Sequence, residues 1–336
     1  MKLRMATALA VTVAAALAQG AAAQSKIPGG AINQNLGEMD YGVCRGTDPA
    51  CFHDWPRTPT AEYRILLFTR TAGPRHANLG PALAPGLNPP LTDANVVQKG
   101  MLKLAAENGW KIDYTEDVAQ MTSLTGYNAV IFFSTSRDNL DDGAKTALRQ
   151  YMRAGGGFVG IHNAFGTLYN WPYYEGLLGG ANFYDHGPNR PGDVVTVDRK
   201  DVSTKDLPPR WKLTDEWYNL VPFPTRVRFL ATVDEKSWTP VAEREGPPPG
   251  PPPGAGAAQA GPPRPRLSSV VGRSPGHGDF HPVAWCQYYD GGRSWVTTLG
   301  HDAKLFTDDS FAGAKEFRTL IAGGIKSAMG AAPFCQ

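Results

Sequence analysis

The hydrophobic pattern changes character midway along the chain. Arg64-Ile65-Leu66-Leu67-Phe68-Thr69 is an almost unbroken apolar run, and Asn128-Ala129-Val130-Ile131-Phe132-Phe133-Ser134 is another. Strands without polar alternation are buried on both faces, as in a parallel sheet covered by helices. Shorter strands are expected at 111–115 and 158–162. Residues 93–108 place Val97, Met101 and Leu104 on one helical face, and Gly109 supplies the stop. Ala144, Ala147, Leu148, Tyr151 and Met152 recur with helical period, and Gly155 ends that helix. The order strand, helix, strand, strand, helix, strand predicts an α/β fold with a doubly wound, mostly parallel sheet and helices on both faces. Such sheets bind ligands beyond the carboxyl ends of their strands. The segments to watch are therefore 69–76, 134–138 and the chain from His162 onward.

The second half reads differently. Residues 193–197, 211–218 and 227–233 are strands with little helix between them. Residues 281–300 read as a hairpin turning at Tyr289-Asp290-Gly291-Gly292. A last helix carries Phe317, Leu320, Ile321 and Ile325 on one face. These strands and the hairpin are expected to extend the first sheet, giving one domain at 62–330, preceded by a polar, turn-rich strap at 24–61. Residues 246–276 form a Pro/Gly-rich insertion, with nine of the 29 prolines between 247 and 265. Its composition predicts a flexible or polyproline-like surface loop, with a docking motif as the alternative. Deleting 246–263 is expected to change stability by less than ~2 kcal/mol in urea unfolding, because no core-forming side chain is lost.

Charge narrows the partners. Lys and Arg number 33 against 31 Asp and Glu, which excludes the basic footprint of a nucleic-acid binder. Residues 1–23 read as a signal peptide: Lys2 and Arg4, an apolar stretch at 6–18, then Ala21 and Ala23 as an A-x-A site before Gln24. The stretch is too short to span a bilayer, so a membrane anchor is the lesser alternative. A periplasmic or secreted protein is expected, with no membrane insertion after cleavage. In an oxidising compartment the four Cys allow three pairings. Cys44 and Cys51 suit a local staple, Cys286 reads as a buried free thiol, and Cys335 could compete for Cys51.

The candidate chemistry centres on Gly155-Gly156-Gly157-Phe158-Val159-Gly160-Ile161-His162-Asn163-Ala164. A strand running into a turn flanked by small residues has the form of a nucleophile elbow. Here it presents a His, which suits a metal ligand or general base. His76, His162, His186 and His301 all fall near strand ends or loops, and Glu216 falls in a strand. Imidazoles with a carboxylate suit a divalent ion, zinc foremost. Asp215 and Glu216 alternate across that strand, so only one can face the site. His53, His277 and His281 read as loop or turn residues. Trp171, Tyr173, Tyr174, Trp217 and Tyr218 could stack on a sugar, although packing is the commoner use of such rings.

Five ordered pieces resemble the ThuA-like (trehalose utilisation) family of the class I glutamine-amidotransferase-like superfamily. They are 65–69 with Arg75-His76; 155–164; 174–180 with His186; Thr214-Asp215-Glu216-Trp217-Tyr218; and 282–285 with Gly292-Arg293 and 297–302. The resemblance implies a flavodoxin-like sandwich in which His162 stands at the superfamily's nucleophile position, so glutamine amidotransferase activity is not expected. It implies a link to metabolism of trehalose and related sugars, often beside oxidoreductases that make 3-keto sugars. It also selects Glu216 over Asp215. The resulting assignment makes His162, Glu216 and His301 catalytic and gives substrate contacts to His76, Asn163, Tyr218 and Asp302. A divalent ion would take His162, His186, Glu216 and His301; no nucleotide cofactor is expected. Two functions follow: a hydrolase, lyase or isomerase acting on a small-molecule sugar, or a non-catalytic carbohydrate-binding module. The number of ionisable groups favours the enzyme.

Overall fold

Five parallel strands form the centre of the protein. In chain order they are β2 (Arg64–Phe68), β3 (Lys111–Thr115), β4 (Ala129–Phe133), β5 (Gly157–Ile161) and β12 (Gly292–Thr297). They lie side by side as β3-β2-β4-β5-β12. This is the flavodoxin-like order, with its switch point where β4 follows on the other side of β2. The computed structural model describes residues 42–55, 62–238 and 276–336, of which Val43–Gln336 is one compact unit. The expected signal peptide, most of the strap and nearly all of the Pro/Gly-rich insertion lie outside the described residues.

The apolar runs do what their lack of alternation predicts. Ile65, Leu67, Ile131, Phe133, Val159 and Ile161 face one core with Val97, Met101 and Leu104 of α1 (Val96–Glu107). Phe317, Leu320, Ile321 and Ile325 of α5 (Ala314–Ala328) fill the same core. Leu66, Phe68, Val130, Phe132 and Phe158 face the other core. There they meet α2 (Asp142–Arg153) and the short α3 (Pro172–Leu177). The remaining short helix, α4 (Lys304–Thr307), follows β12. Among the described residues no helix is long and apolar enough to cross a membrane.

The later strands extend this sheet, as expected. β11 (His281–Tyr289) pairs antiparallel with β12 through the Asp290-Gly291 turn. Then come β10 (Arg228–Asp234), β7 (Arg190–Thr196) and β8 (Arg210–Asp215), all antiparallel. β10 carries register shifts around Ala231, and bulges of this kind sharpen local twist. A separate two-stranded sheet joins β6 (Phe183–His186) to β9 (Tyr218–Leu220). The described part of the strap is structured: β1 (Arg45–Gly46) pairs with the end of β11, and Phe52 bridges to Gly291.

The thiols correct one expectation. Cys44 is bonded to Cys51, but Cys286 is no free thiol: it is bonded to Cys335. The tail after α5 doubles back, and buried Phe334 rests edge-on against Tyr288, 5.1 Å between ring centroids. That contact brings Cys335 beside the strand, with its Cα 5.7 Å from that of Cys286.

Candidate active site

His162 is the first residue after β5. The preceding Ile161 is extended, whereas His162 has φ +53°, a left-handed conformation costing about 1–3 kcal/mol in a side-chain-bearing residue. Its ring is fully buried. Gly300, at φ +133°, passes close enough that a Cβ there would lie 3.3 Å from the Cβ of His162. Asn163 secures the turn by donating to the Thr135 carbonyl, 2.8 Å away.

Four more elements converge here. The loop after β2 brings His76, and Arg75 locks that loop rather than facing the site. Arg75 donates to the carbonyls of Leu79, Gly80 and Pro81 and pairs with Glu116 at 2.8 Å. The loop after β12 brings His301, the end of β6 brings His186, and the turn between β8 and β9 brings Glu216. Glu216 therefore lies just past a strand, not within one.

Asp215 explains how β8, four places away from β12 in the sheet, reaches the same centre. Its buried carboxylate accepts from Gly300 N (2.8 Å), Glu216 N (2.8 Å) and His301 N (3.3 Å). The antiparallel wing thus curls over the carboxyl ends of the parallel strands and is tied to the loop carrying His301. Burial pushes the Asp215 carboxyl up to about 7, against the pull of those donors and of His301.

Glu216 is the hub. Its Oε2 lies 3.1 Å from His301 Nδ1, 3.6 Å from His186 Nε2, 3.7 Å from His162 Nε2 and 3.9 Å from His76 Nε2. Burial alone would raise its carboxyl, but the close approach of His301 and the surrounding His76, His162 and His186 outweigh it. They hold the group well below the usual carboxylate range. His162 is held well below its ordinary value by burial and by His76, with Glu216 offsetting part of this. His301 goes the other way: burial lowers it, but hydrogen bonding and attraction from Glu216 prevail.

Hydrogen bonding fixes tautomers. His162 Nδ1 donates to the Thr298 carbonyl at 2.9 Å, so its Nε2 presents a lone pair. That Nε2 faces His76 Nε2 at 3.1 Å and the Tyr218 hydroxyl at 3.0 Å. His186 Nδ1 donates to the Gly187 carbonyl at 2.6 Å, leaving Nε2 bare toward the more open side. One donor atom each from His76, His162, Glu216 and His301 lies within 4.8 Å of the others. A tetrahedral zinc with ~2.0–2.1 Å bonds places its donors about 3.4 Å apart, and this somewhat wider set could hold one ion.

The sequence-derived residues therefore separate. His162, Glu216, His301, His76, His186 and Tyr218 are brought together, with His76 rather than His186 in the tightest set. Asp302 lies beside His301 and accepts from Lys304 N at 2.8 Å, a local turn contact. The sugar-stacking reading of Tyr173, Tyr174 and Trp217 is corrected: all three are buried and donate to Asp290, the Ala164 carbonyl and the Arg190 carbonyl. Sequence reasoning passed over His277 and His281, which lie behind β9. Nothing in their local pattern distinguishes them from turn residues.

The fold and this centre define a class: an α/β sandwich of flavodoxin-like strand order, with a histidine on its elbow. The family model for ThuA, described as trehalose utilisation, matches residues 64–328, and the chain belongs to that family. No curated protein matches it. A ThuA-like protein from Bacteroides uniformis superposes with a TM-score of 0.55 at 20% identity, covering 82% of this chain and 97% of that one. One from Parabacteroides merdae gives 0.52 at 15% identity, covering 82% and 92%. At these identities the likeness is one of fold.

Proposed function

We propose that the protein is an exported enzyme of sugar or glycoside metabolism, acting on a small sugar and in particular on a keto sugar. In this reading one divalent ion, zinc foremost, is held by His76, His162, His301 and Glu216. The observation that carries it is the 3.1 Å approach of the His76 and His162 Nε2 atoms, with His162 Nδ1 already committed to Thr298. A cation placed there would take the Nε2 lone pair of His162 and, in the tautomer with its proton on Nδ1, that of His76, beside the Glu216 carboxylate. When bound, such an ion polarises a carbonyl or acidifies water. The chain's own contribution is to hold His162 in one tautomer, to keep Glu216 ionised and to offer His186 Nε2 on the open side for proton transfer.

The sugar class rests on the family's description, and export rests on the N-terminal pattern. A non-catalytic carbohydrate module would present exposed aromatic platforms; of the five candidate rings Tyr173, Tyr174, Trp217 and Tyr218 are buried and Trp171 is part-exposed. The test is elemental analysis of the purified mature chain, followed by incubation with oxidised and unoxidised disaccharides. About one divalent ion per chain and consumption of a keto disaccharide are expected. A chain that takes up no ion even when zinc is supplied, and converts neither sugar, would refute the proposal.

A further inference from the structure

β9 is three residues long and belongs to a two-stranded sheet, an arrangement marginal on its own. Yet it carries Tyr218, whose hydroxyl meets His162, and only Trp217 separates it from Glu216. One edge of β9 pairs with β6. On the other edge, among the described residues, no strand takes the backbone groups. The Tyr218 carbonyl instead accepts from His281 Nε2 at 3.0 Å, and the Leu220 N–H donates to His277 Nε2 at 2.9 Å. The C=O of one residue and the N–H of the residue two further on share an edge, so the two imidazoles occupy the positions of a neighbouring strand.

Both histidines converge on Glu235. Its Oε1 lies 2.7 Å from His281 Nδ1 and accepts from the backbone N–H of His277. Gly276, at φ +72°, wraps the carboxylate so closely that a Cβ there would fall 2.4 Å from Oε2. His281 is fully buried, and the two imidazoles meet edge to face at 4.8 Å. Burial and the neighbouring His281 push His277 down to about 4, against Glu235, which agrees with its role as an uncharged acceptor.

We infer that Glu235, His277 and His281 form a clasp that replaces a missing strand along β9 and so positions Tyr218 and Glu216 in the ion site. They touch no reacting atom and are positioning residues. The effect on ion binding rests on the proposed metal reading; the effect on Tyr218 does not.

The experiment uses the full mature chain with His277→Leu, which removes the acceptor, and His277→Gln, which offers a carbonyl oxygen in its place. His281→Phe is the second, independent disruption. In metal-free protein, the His162 Nε2 resonance in long-range 1H–15N spectra reports the Tyr218 hydrogen bond. It is expected to shift in His277→Leu and His281→Phe and to return toward wild type in His277→Gln. Zinc affinity, measured by chelator competition, is expected to fall about tenfold or more in the two disruptive variants, as for other residues that orient metal ligands, and to recover in His277→Gln. An unchanged His162 resonance in a folded His277→Leu protein overturns the clasp. Wild-type protein that binds no zinc overturns the metal reading alone, and the clasp is then decided by the resonance.

Discussion

Replacing His162 with Ala is expected to cut zinc affinity by about 100-fold or more and turnover by at least ~10²-fold, with the fold retained. The size follows from its position. Among the imidazoles of the tightest set it is the fully buried one, its tautomer is set by Thr298, and its Nε2 faces both His76 and Tyr218. The change has a structural cost because the Thr298 carbonyl and the Tyr218 hydroxyl lose their partner. A cost of roughly 1–3 kcal/mol is expected, well short of unfolding a domain of this size. Chelator competition and urea unfolding of the metal-free variant measure the two quantities separately. Wild-type zinc affinity in the variant would remove His162 from the ion site.

Opening the Cys286–Cys335 bridge is expected to cost about 4 kcal/mol, since it closes a 49-residue separation and the entropic penalty of an open loop grows with its length. The Cys44–Cys51 bridge spans seven residues, for which the same relation gives about 2.4 kcal/mol. Urea unfolding of Cys335→Ser beside Cys44→Ser tests both size and order. A larger loss from Cys44→Ser would show that strap docking, not chain entropy, governs these bridges.

The parallel half of the fold was legible because its chemistry is local. β3 falls at 111–115 as expected, and β2, β4 and β5 begin or end within one residue of their apolar runs. The helices α1, α2 and α5 follow their apolar faces in the same way. What the residues could not reveal depends on contacts distant in sequence. The Cys286–Cys335 bond needs the C-terminal tail to turn back. The place of Glu216 depends on Asp215 reaching Gly300 across a curled sheet. His162 was legible from its small neighbours, and His76 and His301 from lying beyond strand ends. That His76 stands nearer the centre of the cluster than His186 is set by the Arg75–Glu116 anchoring of its loop, which leaves no local pattern. His281 is likewise unremarkable in sequence, and its role behind β9 appears only once Glu235 is placed.

The position of β12 has a consequence for how the chain acquires its shape. β12 lies between β5 and β11, so among the described strands it alone joins the parallel half of the sheet to the antiparallel wing. It is the last strand in the sequence, and its partner β5 precedes it by more than a hundred residues. A polypeptide emerging from the N-terminus would therefore carry two half-sheets, each with an unpaired edge, until the closing hairpin arrived. Pairings so distant are slow to form, and the open edges are exposed to aggregation in the interval. The same delay would keep a chain bound for export in a threadable state. The His301 loop follows β12 directly, so the histidine cluster would be the last part to assemble and, on the proposed export, would do so after translocation.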